Sequence, residues 1–186
     1  MSTQVAAKPR IATVSLAGCF GCHMSILDID ERILELASIV EFDRSPINDY
    51  KEFQGRCAVG LIEGGCCNEE NVHVLEKFRK SCDVLIGLGD CALNGGIPAM
   101  RNHVPLRECL ETAYLEAPGI YNPGGVIPND PEIPLLLHRV YPCHEVVKID
   151  YFIPGCPPPA DAIWDSLVAL LNGEVPKLAY TNLKYD

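Results

Sequence analysis

A doubly wound α/β domain on a mainly parallel sheet is the fold this sequence predicts. Three observations point there. Short apolar runs of strand length alternate with segments of helical periodicity. Three of those runs end in a loop that carries glycine and cysteine. The chain has 186 residues, 48% hydrophobic and 22% charged, which is enough for one domain with a full core.

The elements follow in order. Residues 1–9 read as a flexible arm. The run 11–16 is the first strand and leads into Cys19-Phe-Gly-Cys22. Ser25 is a good N-cap, and a helix over 25–38 follows from the spacing of Ile26, Ile29, Ile33, Leu36 and Ala37. Asp28, Asp30 and Glu31 favour its N-terminal half. A short strand at 39–42 and a connection at 44–55 come next. The run 57–62 is a buried strand, 69–80 a helix, 82–88 a strand and 97–116 a helix. Residues 117–145 form a proline-rich excursion. Its apolar members Ile120, Tyr121, Val126, Ile127, Leu135, Leu136 and Leu137 suit a surface that wraps a partner. The last strand is 146–153 and the last helix 160–171, with Gly173 as its stop. The alternation gives flavodoxin-like strand order in a single domain over 10–186.

Composition excludes several functions. Formal net charge is −10 and no basic stripe is present, so nucleic acid is not an expected partner. No apolar run has the length of a membrane span. The first nine residues lack the apolar core of a secretory signal. Ten cysteines then read as free or metal-bound thiols in a reducing, cytoplasmic setting rather than as a disulfide framework.

Four of the ten share one placement. Cys19, Cys91 and Cys156 each lie three residues past the end of a strand run, at Leu16, Leu88 and Ile153. Cys22 completes a Cys-x-x-Cys turn with Cys19. Loops leaving the carboxyl ends of parallel strands gather on one edge. Four thiolates meeting there are the ligand set of one [4Fe-4S] cluster. Gly18 and Gly21 allow a tight turn, and 157–159, all proline, stiffen the last loop. A thioredoxin-like redox pair would need neither Cys91 nor Cys156. A structural zinc site in an interaction module would pair two close dyads, whereas two of these donors are single.

Other residues compete with that set or surround it. Cys66-Cys67 follows a strand on the same edge, but the paired corners are already filled, so these read as spare thiols. Cys57, Cys82, Cys109 and Cys143 read as small buried hydrophobes. Glu63 reads as an acceptor for backbone amides of neighbouring loops. His23 reads as solvent-exposed or partner-facing, ahead of a donor to cluster sulfur or a proton relay. Trp164 reads as core. Gly87-Leu-Gly89 lacks the remainder of a dinucleotide fingerprint.

As a set, Cys19-Phe-Gly-Cys22-His-Met-Ser25, Glu63-Gly64, Gly89-Asp-Cys91-Ala-Leu-Asn-Gly95-Gly96 and Gly155-Cys156-Pro-Pro158 resemble the small subunit of [NiFe] hydrogenases. The resemblance covers nearly the whole chain. It implies that Cys19, Cys22, Cys91 and Cys156 hold a proximal [4Fe-4S] cluster beside a Ni–Fe site in a large subunit. His23-Met24 stands where membrane-bound and periplasmic members commonly carry a Ser/Thr-Glu pair. The short, single-cluster form resembles the cytoplasmic NAD-reducing (bidirectional) enzymes. That implies further Fe–S and flavin-bearing diaphorase subunits as partners, and it allows an FMN on this chain. The related cluster subunit of NADH:quinone oxidoreductase is the nearest alternative; it typically uses an adjacent cysteine pair.

Overall fold

The structure is a computed structural model and describes residues 8–180. Most of the arm expected at 1–9 lies outside the described residues; Lys8 donates to the Ala37 carbonyl at 3.0 Å. Helices and strands alternate as β1 (Arg10–Ser15), α1 (Gly21–Leu27), α2 (Arg32–Ile39), β2 (Glu41–Phe42), β3 (Cys57–Glu63), β4 (Cys66–Asn68), α3 (Glu69–Ser81), β5 (Cys82–Leu88) and α4 (Gly89–Asn94). A 3-10 segment (Ile97–His103), α5 (Leu106–Glu111), a π turn (Thr112–Glu116), β6 (Leu136–Tyr141), a second 3-10 segment (Cys143–Glu145), β7 (Tyr151–Ile153) and α6 (Ala160–Leu171) complete the described chain.

Five strands form one sheet in the order β2-β1-β3-β5-β7, every pairing parallel. Counted within the sheet, that is second, first, third, fourth, fifth, the flavodoxin-like order. Alternate side chains feed two cores, as a strand's period of two requires. Ile11, Leu61, Ile86, Leu88 and Ile153 pack with Ile26, Leu36, Ile163 and Leu167 of α1, α2 and α6. Ala12, Ile62 and Leu85 pack with Leu75 and Phe78 of α3. All carboxyl ends therefore point to one edge, and the order reverses there between β1 and β3.

Four local expectations give way. The helix expected over 25–38 is two helices. Ser25 lies inside α1, and Asp30 takes a left-handed φ of 55° between α1 and α2. Aspartate tolerates that conformation better than most side chains, and the left-handed residue sits in the turn that separates the two helices. The helix expected over 97–116 is broken because Pro98 opens the 3-10 segment and Pro105 stands before α5, each without an N–H to give. The strand expected over 146–153 holds only 151–153. Asp150 accepts the Leu85 N–H through its side chain, at 2.9 Å, so the ladder starts there. Val146, Val147 and Ile149 pack on the α3-side core instead. The excursion 117–145 is not all loop: β6 pairs antiparallel with β4. Arg101 caps the carbonyls of Leu137 and His138, and Asn102 exchanges two hydrogen bonds with the Val140 backbone. No helix among the described residues is long and apolar enough to cross a membrane.

Candidate cluster site

The loops after β1, β3, β5 and β7 close around one cavity of about 70 Å³, lined by Cys19, Cys22, Cys91 and Cys156 together with Glu63 and Asp90. The sequence places each of these loops by ending its strand. The loops are then tied in pairs. Ala17 and Gly65 exchange backbone hydrogen bonds of 3.0 and 2.8 Å, linking the loops after β1 and β3. The Asp90 N–H donates to the Gly155 carbonyl at 3.0 Å, linking those after β5 and β7.

Two glycines set how closely the loops approach. Gly64 has φ +83°, and a Cβ there would stand 2.7 Å from the Leu16 carbonyl carbon. Gly89 has φ +74°, and a Cβ there would stand 2.5 Å from the Cys22 sulfur. Any side chain at Gly89 would fill space next to the Cys22 thiol. Phe20 also takes a left-handed φ, 68°, and its ring stacks on His23 with centroids 4.5 Å apart. That turn starts α1 at Gly21 and brings Cys22 into its first turn.

Cys19 and Cys156 are exposed and Cys22 and Cys91 half-buried; all ten cysteines are free thiols. Electrostatics record the convergence. Burial raises the Cys22 thiol, and Glu63, Cys91 and Cys19 raise it further. Burial also raises Cys91, with Cys156, Cys19 and Glu63 adding to it and the Ile97 N–H opposing. Thiols that penalise one another's ionisation need a cationic core to ionise together. Among the described residues, no group of three His, Cys, Asp or Glu could hold a single metal ion. The thiols ring a cavity rather than meet at a point, which suits a multi-metal cluster better than one tetrahedral zinc.

The remaining cysteines separate cleanly from the cavity. Cys66 is fully buried and shares a hydrogen bond with Cys143, whose thiol also donates to the Gly64 carbonyl at 3.2 Å. The Cys67 thiol donates to Asn71 at 3.3 Å. Neither member of the adjacent pair lines the cavity. Cys57, Cys82 and Cys143 are buried as expected, but Cys109 is half-buried on α5, where no core covers it. Trp164 is half-buried, packed against the core with the Arg32 guanidinium 5.3 Å over its ring.

His23 corrects the sequence reading most. It is fully buried rather than exposed. Its Nε2 lies 2.9 Å from the Thr13 hydroxyl, which lies 2.7 Å from the Ser45 hydroxyl, and its Nδ1 lies 3.3 Å from Glu63. Glu63, 2% exposed, accepts the His23 backbone N–H at 3.0 Å and the Ser15 hydroxyl at 2.5 Å. Burial works against its ionisation, yet the His23 and Ser15 hydrogen bonds win and hold it below the usual carboxylate range. The amide-acceptor role read for Glu63 is the one found. The only sequence signal for a buried His23 was its position directly after Cys22 in the short loop that follows the first strand.

Fold and cavity together define a class: a flavodoxin-like chain whose carboxyl-edge loops carry cysteines in place of a nucleotide cradle. The chain belongs to the family described as "NADH ubiquinone oxidoreductase, 20 Kd subunit", which it matches over residues 19–170. Within it, the chain is 49% identical over 180 residues to the delta subunit of the NAD-reducing hydrogenase HoxS of Cupriavidus necator, spanning 96% of this chain and 86% of that one. It is 40% identical to a subunit of the F420-non-reducing hydrogenase of Methanothermobacter thermautotrophicus, with 96% of this chain covering 58% of that longer protein. A crystal structure of an NAD+-reducing [NiFe]-hydrogenase in the H2-reduced state contains a chain of 52% identity, superposing with a TM-score of 0.92 over 96% of this chain and 99% of that one.

Proposed function

We propose that this chain is the electron-transfer small subunit of an NAD-reducing [NiFe] hydrogenase and holds one [4Fe-4S] cluster on Cys19, Cys22, Cys91 and Cys156. The observation that carries the reading is that these four thiols, from three separate loops, line a single cavity. Such a cluster, when bound, takes and gives one electron at a time, with a potential set by burial and hydrogen bonds. The chain's own contribution is to fix four donors, keep water from the inner pair, and leave Cys19 and Cys156 near the surface where a partner approaches.

The partners follow from the same reading. Hydrogen is split at a Ni–Fe site in a large subunit, and the electrons pass on to Fe–S and flavin-bearing diaphorase subunits that reduce NAD+. Met24, on the helix that carries Cys22, and Ile97 and Met100, just past the Cys91 helix, are exposed apolar side chains that suit a covering subunit. Ten free thiols go with a cytoplasmic setting. Among the described residues, the cavity lining holds thiols, glycines, carboxylates and a proline, with no ring on which a flavin would stack, so FMN is not assigned to it.

The family description alone would also fit the NADH:quinone oxidoreductase reading. The hydrogenase relatives, and an adjacent cysteine pair turned away from the cavity, favour hydrogenase. The test is purification of the native assembly with assay of nickel, iron, sulfide and flavin and identification of the co-purifying chains. Nickel with a large subunit supports the reading. A quinone-inhibitor-sensitive assembly without nickel, or a colourless chain with one zinc, contradicts it.

A further inference from the structure

Among the described residues, Glu63 is the buried carboxylate that touches both the ligand loop and the cavity. It ends β3, lines the cavity, and is 2% exposed. Its Oε2 accepts the backbone N–H of His23, the residue directly after Cys22, at 3.0 Å. Its Oε1 accepts from Ser15 at the end of β1 and lies 3.3 Å from the buried His23 ring. One side chain therefore joins β1, β3 and the first turn of α1 behind the Cys19–Cys22 loop. No lysine or arginine among the described residues lines this cavity, whereas Asp90 joins Glu63 in the lining with a buried, unpartnered Oδ1. The cavity is thus walled on its protein side by negative charge.

We infer that Glu63 is the positioning and potential-setting residue of the cluster. Its carboxylate pins the Cys19–Cys22 loop through the His23 amide, and its fixed charge beside Cys22 opposes the arrival of an electron, lowering the reduction potential. This rests on the four-cysteine reading above. The two roles separate because one needs an acceptor at this place and the other needs charge. A neutral amide of the same shape keeps the first and loses the second. A charged but shorter side chain keeps the second and strains the first.

The experiment uses the native hydrogenase assembly carrying Glu63→Gln or Glu63→Asp. Cluster content is read by iron and sulfide assay, potential by electron-paramagnetic-resonance-monitored redox titration, and loop integrity by the rate of iron loss to a chelator. Glu63→Gln is expected to keep wild-type iron and spectrum while shifting the one-electron reduction equilibrium about tenfold toward the reduced cluster, about 59 mV upward. Glu63→Asp is expected to keep the low potential and to lose iron several-fold faster. An intact cluster with unchanged potential in Glu63→Gln overturns the charge role. Should Glu63→Gln not accumulate, wild-type chelator kinetics in Glu63→Asp overturn the pinning role by themselves. Failure of the underlying reading is visible separately: an otherwise unaltered assembly whose cluster signal persists when Cys91 and Cys156 are replaced has its cluster elsewhere, and the inference falls with it.

Discussion

The two ends of β3 and β5 carry the same residue type and opposite chemistry. At the amino ends, Cys57 and Cys82 face each other across the ladder, both fully buried. Their shared hydrogen bond and burial push the Cys82 thiol up, and the pair packs as apolar matter in the core. At the carboxyl edge, Cys91 stands three residues past the end of β5 and meets Cys19, Cys22 and Cys156 around a cavity. There burial is incomplete, and mutual repulsion among thiols stores a demand for positive charge. Strand end and loop direction together separate the two settings: Cys66 also follows a carboxyl end, that of β3, yet its loop turns it into the core and away from the cavity.

Replacing a rim donor should give the largest effect. Cys91→Ala or Cys156→Ala is expected to destroy the intact cluster and uncouple hydrogen oxidation from NAD+ reduction. The activity loss should exceed the roughly 10–100-fold typical of residues that only support a ligand. Wild-type electron transfer in either variant would erase the difference between the two ends. Next is Gly89→Ala, which puts a Cβ 2.5 Å from the Cys22 sulfur at φ +74°. Cluster loading should fall, and the left-handed backbone alone should cost about 1–2 kcal/mol in a denaturant titration of the apo chain.

A smaller effect is expected at the other end. Cys57→Ala should leave iron content at the wild-type value and lower unfolding stability by about 1 kcal/mol. Iron loss in that variant would mean that the wrong thiols were chosen. The smallest effect concerns the strand that feeds Cys156. Burial raises the Asp150 carboxyl, but Arg79, the Leu85 N–H and Lys148 outweigh it and hold the group below its usual range. A depressed folded pKa gives stability that is present above the unfolded value, about 3.9, and lost as pH falls through the folded value. Asp150→Asn should therefore cost about 0.5–1 kcal/mol near pH 7, screened by salt, and the gap from wild type should close below about pH 4.

Much of this was legible in the sequence because it depends on strand ends. A three-residue offset from Leu16, Leu88 and Ile153 survives any error in helix limits, so the cavity lining could be read before the fold. The unread parts depend on tertiary placement. His23 looks polar and loop-borne, yet a left-handed Phe20 turns it inward onto Thr13 and Glu63. The strand Leu136–Tyr141 sits among prolines and has periodicity too short to register; its partner, β4, is three residues long. Asp150 cut the last strand short by substituting a side chain for a backbone acceptor, which no pattern of apolar residues records.

Anomalous diffraction at the iron edge, on crystals of the native assembly, tests the central claim most directly. Iron peaks filling the cavity and bonded to the sulfurs of Cys19, Cys22, Cys91 and Cys156 are the expected result. A cavity without iron, or iron bonded to the Cys66-Cys67 pair instead, would contradict it.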